Sequence, residues 1–169
     1  MKRWLLLLLP VLSLVLSNCA GYQLGSSKPS HLQSVTKLYV PTFTNKTLEP
    51  RLAVMVTNAV IKQIQLTGAY QIVTEDQADA TLEASITDLD RSQWRAVRNN
   101  TLRTRELLVR LKTDFKIVDT SGGSLHKGRV LGESYVVLDA NFQTSERQAF
   151  SEAAERMAAS LANEISNGW

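Results

Sequence analysis

Residues 80–117 run "ATLEASITDLDRSQWRAVRNNTLRTRELLVRLKTDFKI", and both ends of this stretch alternate in the manner of strands. Leu82, Ala84 and Ile86 interleave with Thr81, Glu83, Ser85 and Thr87, and Val109, Leu111, Phe115 and Ile117 with Arg110, Lys112, Asp114 and Lys116. Successive strand side chains point to opposite faces, so each end has one apolar face and one wet face. Asn99-Asn100 lies between them and suits a turn, because Asn tolerates positive φ. The stretch is expected to form a long antiparallel hairpin with a basic tip. Its alternation breaks in the middle, where Leu107 and Leu108 are adjacent and Arg103 and Arg105 share the parity of the downstream apolar residues. One register cannot bury both sets. Two readings follow: a bulge near Leu107, or a tip from about Arg91 to Arg105 that projects beyond the core.

Upstream, "KLYVPTF" (37–43) is a β-rich run, with Pro41 marking a strand end or an edge. Leu52, Met55, Val56, Ala59, Val60 and Ile64 then recur at helical spacing, and Gly68 stands as the stop. "YQIVT" (70–74) gives a second strand and "EDQAD" (75–79) a polar connection. Downstream, "DTSGGS" (119–124) is a turn and Val130 to Leu138 a fifth strand. A last helix is expected from about Ser145 to Ser166, with Ser145 and Gln148 at capping-box spacing and Phe150, Ala154, Met157, Leu161 and Ile165 as its apolar stripe. The fold class is therefore α+β: two helices packed on one face of a mixed, mostly antiparallel sheet, with a long protruding hairpin.

The start, "MKRWLLLLLPVLSLVLSNCAGYQLG", has an apolar run from Trp4 to Leu16 interrupted by Pro10 and Ser13. A bilayer-spanning helix needs about 20 apolar residues, so this run is short for an anchor. Lys2 and Arg3 before it and small or polar residues after it give the order of a secretory signal. Leu16-Ser17-Asn18-Cys19 resembles the bacterial lipobox, cut before a diacylated cysteine, although Asn18 stands where Gly, Ala or Ser is usual. Cys19 is the single cysteine and has no partner for an internal disulfide. Lipidation at Cys19 accounts for it, the alternative being an ordinary secretory signal with an incidental cysteine, and two or three acyl chains give stable anchoring without spanning. The expected organisation is a cleaved signal at 1–18, a lipidated tether at 19–34 and a single domain at 35–169.

With Lys2 and Arg3 gone, 17 basic residues face 16 acidic ones, so net charge gives no argument for nucleic acid. The distribution is uneven. Within 91–116, Arg91, Arg95, Arg98, Arg103, Arg105, Arg110, Lys112 and Lys116 meet only Glu106 and Asp114. Arginine forks match phosphate oxygens, which makes the hairpin a candidate polyanion site, with Arg91, Arg95, Arg98, Arg103 and Arg105 as ligands. The alternative is a solvated strand face whose charges resist edge-to-edge aggregation. No catalytic or metal constellation accompanies it: the two histidines, His31 and His126, fall in the tether and in a turn, and no phosphate-binding glycine loop follows a strand. Neither enzyme activity nor a cofactor is expected.

"CAGYQLG" (19–25), "KLYVPTFTNKTLEPRLAVMVTNAVIKQIQLTG" (37–68) and "ADATLEASITDLDRS" (78–92), with the long hairpin and C-terminal helix, resemble the lipopolysaccharide-assembly lipoprotein family LptE. The resemblance covers nearly all of the chain after the signal. It implies an outer-membrane lipoprotein on the periplasmic side that plugs the β-barrel LptD and serves insertion of lipopolysaccharide into the outer leaflet. Ala20, after the cysteine, agrees with outer-membrane sorting. The same strand, helix, strand pattern also resembles periplasmic lipoproteins that activate peptidoglycan synthases or assist secretion-pore assembly, and fold does not fix function.

Overall fold

A computed structural model describes residues 28–97, 100–137 and 141–167, with the side chains of 95–105 left out. The elements are β1 (Lys37–Tyr39), β2 (Thr44–Asn45), α1 (Leu52–Thr67), β3 (Gln71–Ile72), β4 (Ala80–Val97), β5 (Asn100–Asp119), β6 (Ser124–Val137) and α2 (Phe142–Asn167). The sheet order is β3-β1-β4-β5-β6, with β2 also paired to β4. Strands β1, β2 and β3 pair in parallel and β4, β5 and β6 antiparallel, so the expected mixed, mostly antiparallel sheet with two helices is present.

Helix α1 buries Leu52, Val56, Thr57, Val60 and Ile64, one stripe of a 3.6-residue period. Gly68 ends it at φ 65°, a left-handed position where a Cβ is disfavoured, and its N–H donates to the Gln65 carbonyl. Helix α2 buries Ala149, Ala153, Ala154, Ala158 and Ala162 together with Met157, Leu161 and Ile165. This small-residue face brings α2 close to β6 at Gly132, where an added Cβ would lie 2.0 Å from the Ala153 carbonyl oxygen. The helices also pack on each other, and Tyr70 Oη donates to the Ile165 carbonyl at 2.6 Å inside this core.

Several boundaries differ from expectation. Helix α2 begins at Phe142, so Ser145 lies inside its first turn, where its N–H donates to the Asn141 carbonyl, and it is no N-cap. Strand β6 starts at Ser124, which puts His126 in a strand and not in a turn. The segment expected to be tether is structured from Lys28 onward: Ser30–Leu32 form a 3-10 turn, Leu32 is fully buried, and Lys28 lies over the Tyr70 ring at 4.2 Å. Val97 pairs with Asn100, so Asn100 opens β5, while Asn99 lies outside the described residues.

Candidate functional site

Two irregularities in β4 shape the hairpin. At Thr87 the register slips, with Ile86 opposite Thr113 and Asp88 opposite Lys112. One extra residue reverses which parity faces the core. Before it Leu82, Ala84 and Ile86 face the helices; after it Leu89 and Arg91, opposite Leu111 and Val109, take that face. Arg91 is therefore not on the wet face. Its Nε donates to Glu146 Oε1 at 2.8 Å, its Nη2 to Glu49, and its guanidinium lies 4.8 Å from the Phe150 ring centroid. Of the five arginines expected to meet a ligand, this one is occupied in joining β4 to α2 and to the segment before α1.

The second slip falls at Trp94, with Gln93 opposite Leu107 and Arg95 opposite Glu106. The bulge expected near Leu107 is present, on β4 across from it, and marks where the arm leaves the body; the arm begins there and not at Arg91, which is held against α2. Among the described residues the last β6 partner is Val137, opposite Glu106. Beyond that pair β4 and β5 continue as a ribbon to Val97 and Asn100. The side chains of Arg95, Arg103 and Arg105, and all of Arg98, lie outside what the structure describes.

At the root of the arm the helix-free face is apolar. Trp94 and Tyr135 meet edge to face at 4.9 Å between centroids, exposed by 52% and 45%. Leu108, opposite Tyr135 and Ser92, shares this face and is buried apart from the main core cluster. Val137 is exposed beside it. Adjacent Leu107 and Leu108 are thus both buried, one on each side of the sheet.

Below this patch the same face carries cross-strand ion pairs: Arg110 with Glu133 at 2.7 Å, Lys112 with Asp88 at 2.9 Å, Lys116 with Glu83 at 2.9 Å, and Arg129 with Asp114. The Lys112 and Arg129 hydrogen bonds hold the Asp88 and Asp114 carboxyls below the usual carboxylate range. The basic residues from 110 to 116 are therefore locally neutralised, as the solvated-face alternative expects of them. At the far end of the sheet a concavity of about 700 Å³ has Pro41, Ala84 and Phe115 in its lining, with Lys116, Lys127 and Arg129 beside them. Lys116 and Lys127 stand opposite each other in register, which concentrates positive charge there.

Among the described residues no helix is long and apolar enough to cross a membrane, and no three His, Cys, Asp or Glu side chains gather around one point. The two histidines do meet, at 3.2 Å between His31 Nε2 and His126 Nδ1. Sequence reading separated them because Gly128 and Gly132 hide the start of β6.

The fold is similar to that of protein XCC0632 from Xanthomonas campestris, at 10% identity and a TM-score of 0.61, covering 83% of this chain and 87% of that one. It is also similar to dodecameric PelC from Paraburkholderia phytofirmans, at 14% identity and a TM-score of 0.52, covering 83% and 95%. Comparison with curated proteins finds no match. A family model described as lipopolysaccharide-assembly, LptE, matches residues 35–167, which takes in every helix and strand from β1 to α2, and the chain belongs to that family.

Proposed function

We propose that the protein is an outer-membrane lipoprotein, held on the periplasmic side by acyl chains on Cys19, that plugs the LptD β-barrel and serves insertion of lipopolysaccharide into the outer leaflet. Family membership supports the process. The observation that carries the partner reading is the arm with an apolar root: Trp94, Tyr135 and Val137 expose aromatic and aliphatic surface where the ribbon leaves the sheet. Such surface beside a protruding element suits burial against a protein partner. In this reading the work is non-enzymatic, consisting of filling the lumen and holding the glycolipid.

Arg95, Arg98, Arg103 and Arg105 on the arm remain the proposed phosphate contacts, while Arg91 keeps the arm in place. Tagged protein extracted from membranes should carry a large β-barrel at near-equal stoichiometry, identified by mass spectrometry. Recovery of a peptidoglycan synthase or a secretin in its place overturns the plug reading. Arg95→Glu, Arg98→Glu and Arg103→Glu together should weaken lipopolysaccharide binding with an unchanged circular dichroism spectrum; unchanged binding removes the arm from the ligand site. Cys19→Ala should abolish labelling by a palmitate analogue.

A further inference from the structure

We propose that His31 and His126 form a binding site for one first-row transition-metal ion of the zinc or copper(II) type, which fastens the turn Ser30–Leu32 to strand β6 at the edge of the sheet. These are the only histidines in the chain, and they come together from positions 95 residues apart. His31 lies on the exposed 3-10 turn Ser30–Leu32 and His126 on β6. Their Nε2 and Nδ1 atoms are 3.2 Å apart. Two nitrogens each 2.0–2.1 Å from one tetrahedral zinc are themselves roughly 3.3 Å apart, so the spacing suits both an N–H···N hydrogen bond and a shared ion.

The third observation is Glu164. On the other side of the His126 ring, Nε2 lies 3.2 Å from Glu164 Oε1 of helix α2. With the Glu164 carboxylate accepting from Nε2–H, the neutral ring presents its Nδ1 lone pair towards His31. A carboxylate that accepts the far N–H of a ligating histidine is the usual outer partner of a metal site, fixing tautomer and ring orientation. Phe115 flanks the same ring at 5.6 Å between centroids. His126 is thus held before any ion arrives. His31 binds through Nε2 once its proton has moved to Nδ1, so the ion replaces one hydrogen bond.

A hollow of about 460 Å³ opens beside the pair, lined by His31, Ser124, Leu125, His126 and Lys127. It has room for the water or anionic ligands that two protein nitrogens leave to be supplied. Imidazole donors favour zinc and copper over magnesium or calcium. The Lys127 ammonium in the same lining opposes a dication and favours an anion as its further ligand. The site rests on these contacts alone and is independent of the lipopolysaccharide reading.

The test is calorimetric titration of the full chain, extracted in detergent and free of any polyhistidine tag, with zinc chloride and separately with copper(II). One ion per chain should bind at micromolar affinity. His31→Ala, on an exposed turn, and His126→Gln should each abolish it, while Glu164→Gln should weaken it about tenfold. Histidine ring signals of both residues should move together in NMR spectra as zinc is added. No saturable binding by the native chain, or binding unchanged in His31→Ala, overturns the proposal.

Discussion

Arg91 Nε stands 2.8 Å from Glu146 Oε1, so a residue of the cationic hairpin ties β4 to the start of α2. The second carboxylate, Glu49, and the Phe150 ring complete its surroundings. Its side chain is 34% exposed, which keeps each ion pair in the range of surface pairs, about 0.2–1 kcal/mol, with the ring adding about 0.5–1 kcal/mol. Arg91→Ala should cost about 1–2 kcal/mol in chemical denaturation, and Glu146→Gln less. If Arg91→Ala melts like the native protein but loses lipopolysaccharide binding, the residue belongs with the ligand contacts after all.

Gly132 is where α2 lies closest to the sheet. An added Cβ would fall 2.0 Å from the Ala153 carbonyl oxygen and 2.6 Å from Met157 Cβ, and backbone atoms cannot swing aside as a side-chain end can. Gly132→Ala should therefore cost at least about 3 kcal/mol, at the upper end of overpacking effects. At Gly128 the nearest atom is the end of the Glu164 side chain, with the Phe115 ring also close, so Gly128→Ala should cost less. Thermal unfolding followed by circular dichroism ranks the two, and equal melting temperatures contradict this packing.

The hairpin, the first helix and its glycine stop were legible because each is written locally, in alternation, in a 3.6-residue period, or in a single residue at φ 65°. What sequence left open depends on register. The slip at Thr87 moves Arg91 from one face to the other, and only pairing with β5 shows it. The pairing of the basic residues from 110 to 116 was hidden for the same reason, since Glu83, Asp88 and Glu133 become neighbours across strands and not along the chain. His31 and His126 belong to elements whose glycines and short length give no period to follow.

Two buried threonines should respond in opposite directions to loss of the hydroxyl. Thr57 Oγ1 donates to the Ala53 carbonyl at 2.7 Å and accepts the Phe43 N–H at 3.0 Å, tying α1 to the loop after β1. Thr57→Val strands that buried N–H and should cost about 1–3 kcal/mol. Thr113 Oγ1 is fully buried and has no hydrogen-bond partner among the described residues. Thr113→Val is nearly isosteric and should raise stability by about 1 kcal/mol. Urea denaturation with an unchanged m-value measures both, and a destabilised Thr113→Val shows that its hydroxyl has a partner.

Stability should fall at both ends of the pH scale. Asp79 accepts the Lys37 and Thr36 N–H groups and the Thr36 hydroxyl, and these hold its carboxyl below the usual range. Asp119 is lowered by the Ser121 hydroxyl and the Gly123 N–H, and Glu152 by Gln148 and Ser134. The unfolded chain takes up these protons first as pH drops, so the contribution is complete above the ordinary carboxylate range and lost as pH falls through the lowered values. Burial pushes the Tyr70 hydroxyl up to about 12. There the unfolded chain loses its proton first, so stability declines as pH rises from about 10 towards 12. One tyrosine should titrate near pH 12 by ultraviolet absorbance, and Tyr70→Phe should remove that step.

Trp94 and Tyr135 form the exposed apolar root of the arm, and their edge-to-face contact covers a face on which Leu108 is 4% exposed. Because both rings are about half exposed, Trp94→Ser should cost only about 1 kcal/mol of stability, mostly from the lost ring contact. A surface built for a protein partner behaves differently when that partner is the readout. Trp94→Ser together with Tyr135→Ser should sharply reduce barrel recovery in the affinity purification, while Trp94→Phe should retain it, since an aromatic anchor in a desolvated pocket carries a large share of binding energy. A melt close to that of the native protein excludes unfolding as the cause. Full barrel recovery by the double variant would place the partner contact elsewhere, and the concavity beside Lys116, Lys127 and Arg129 becomes the next surface to change.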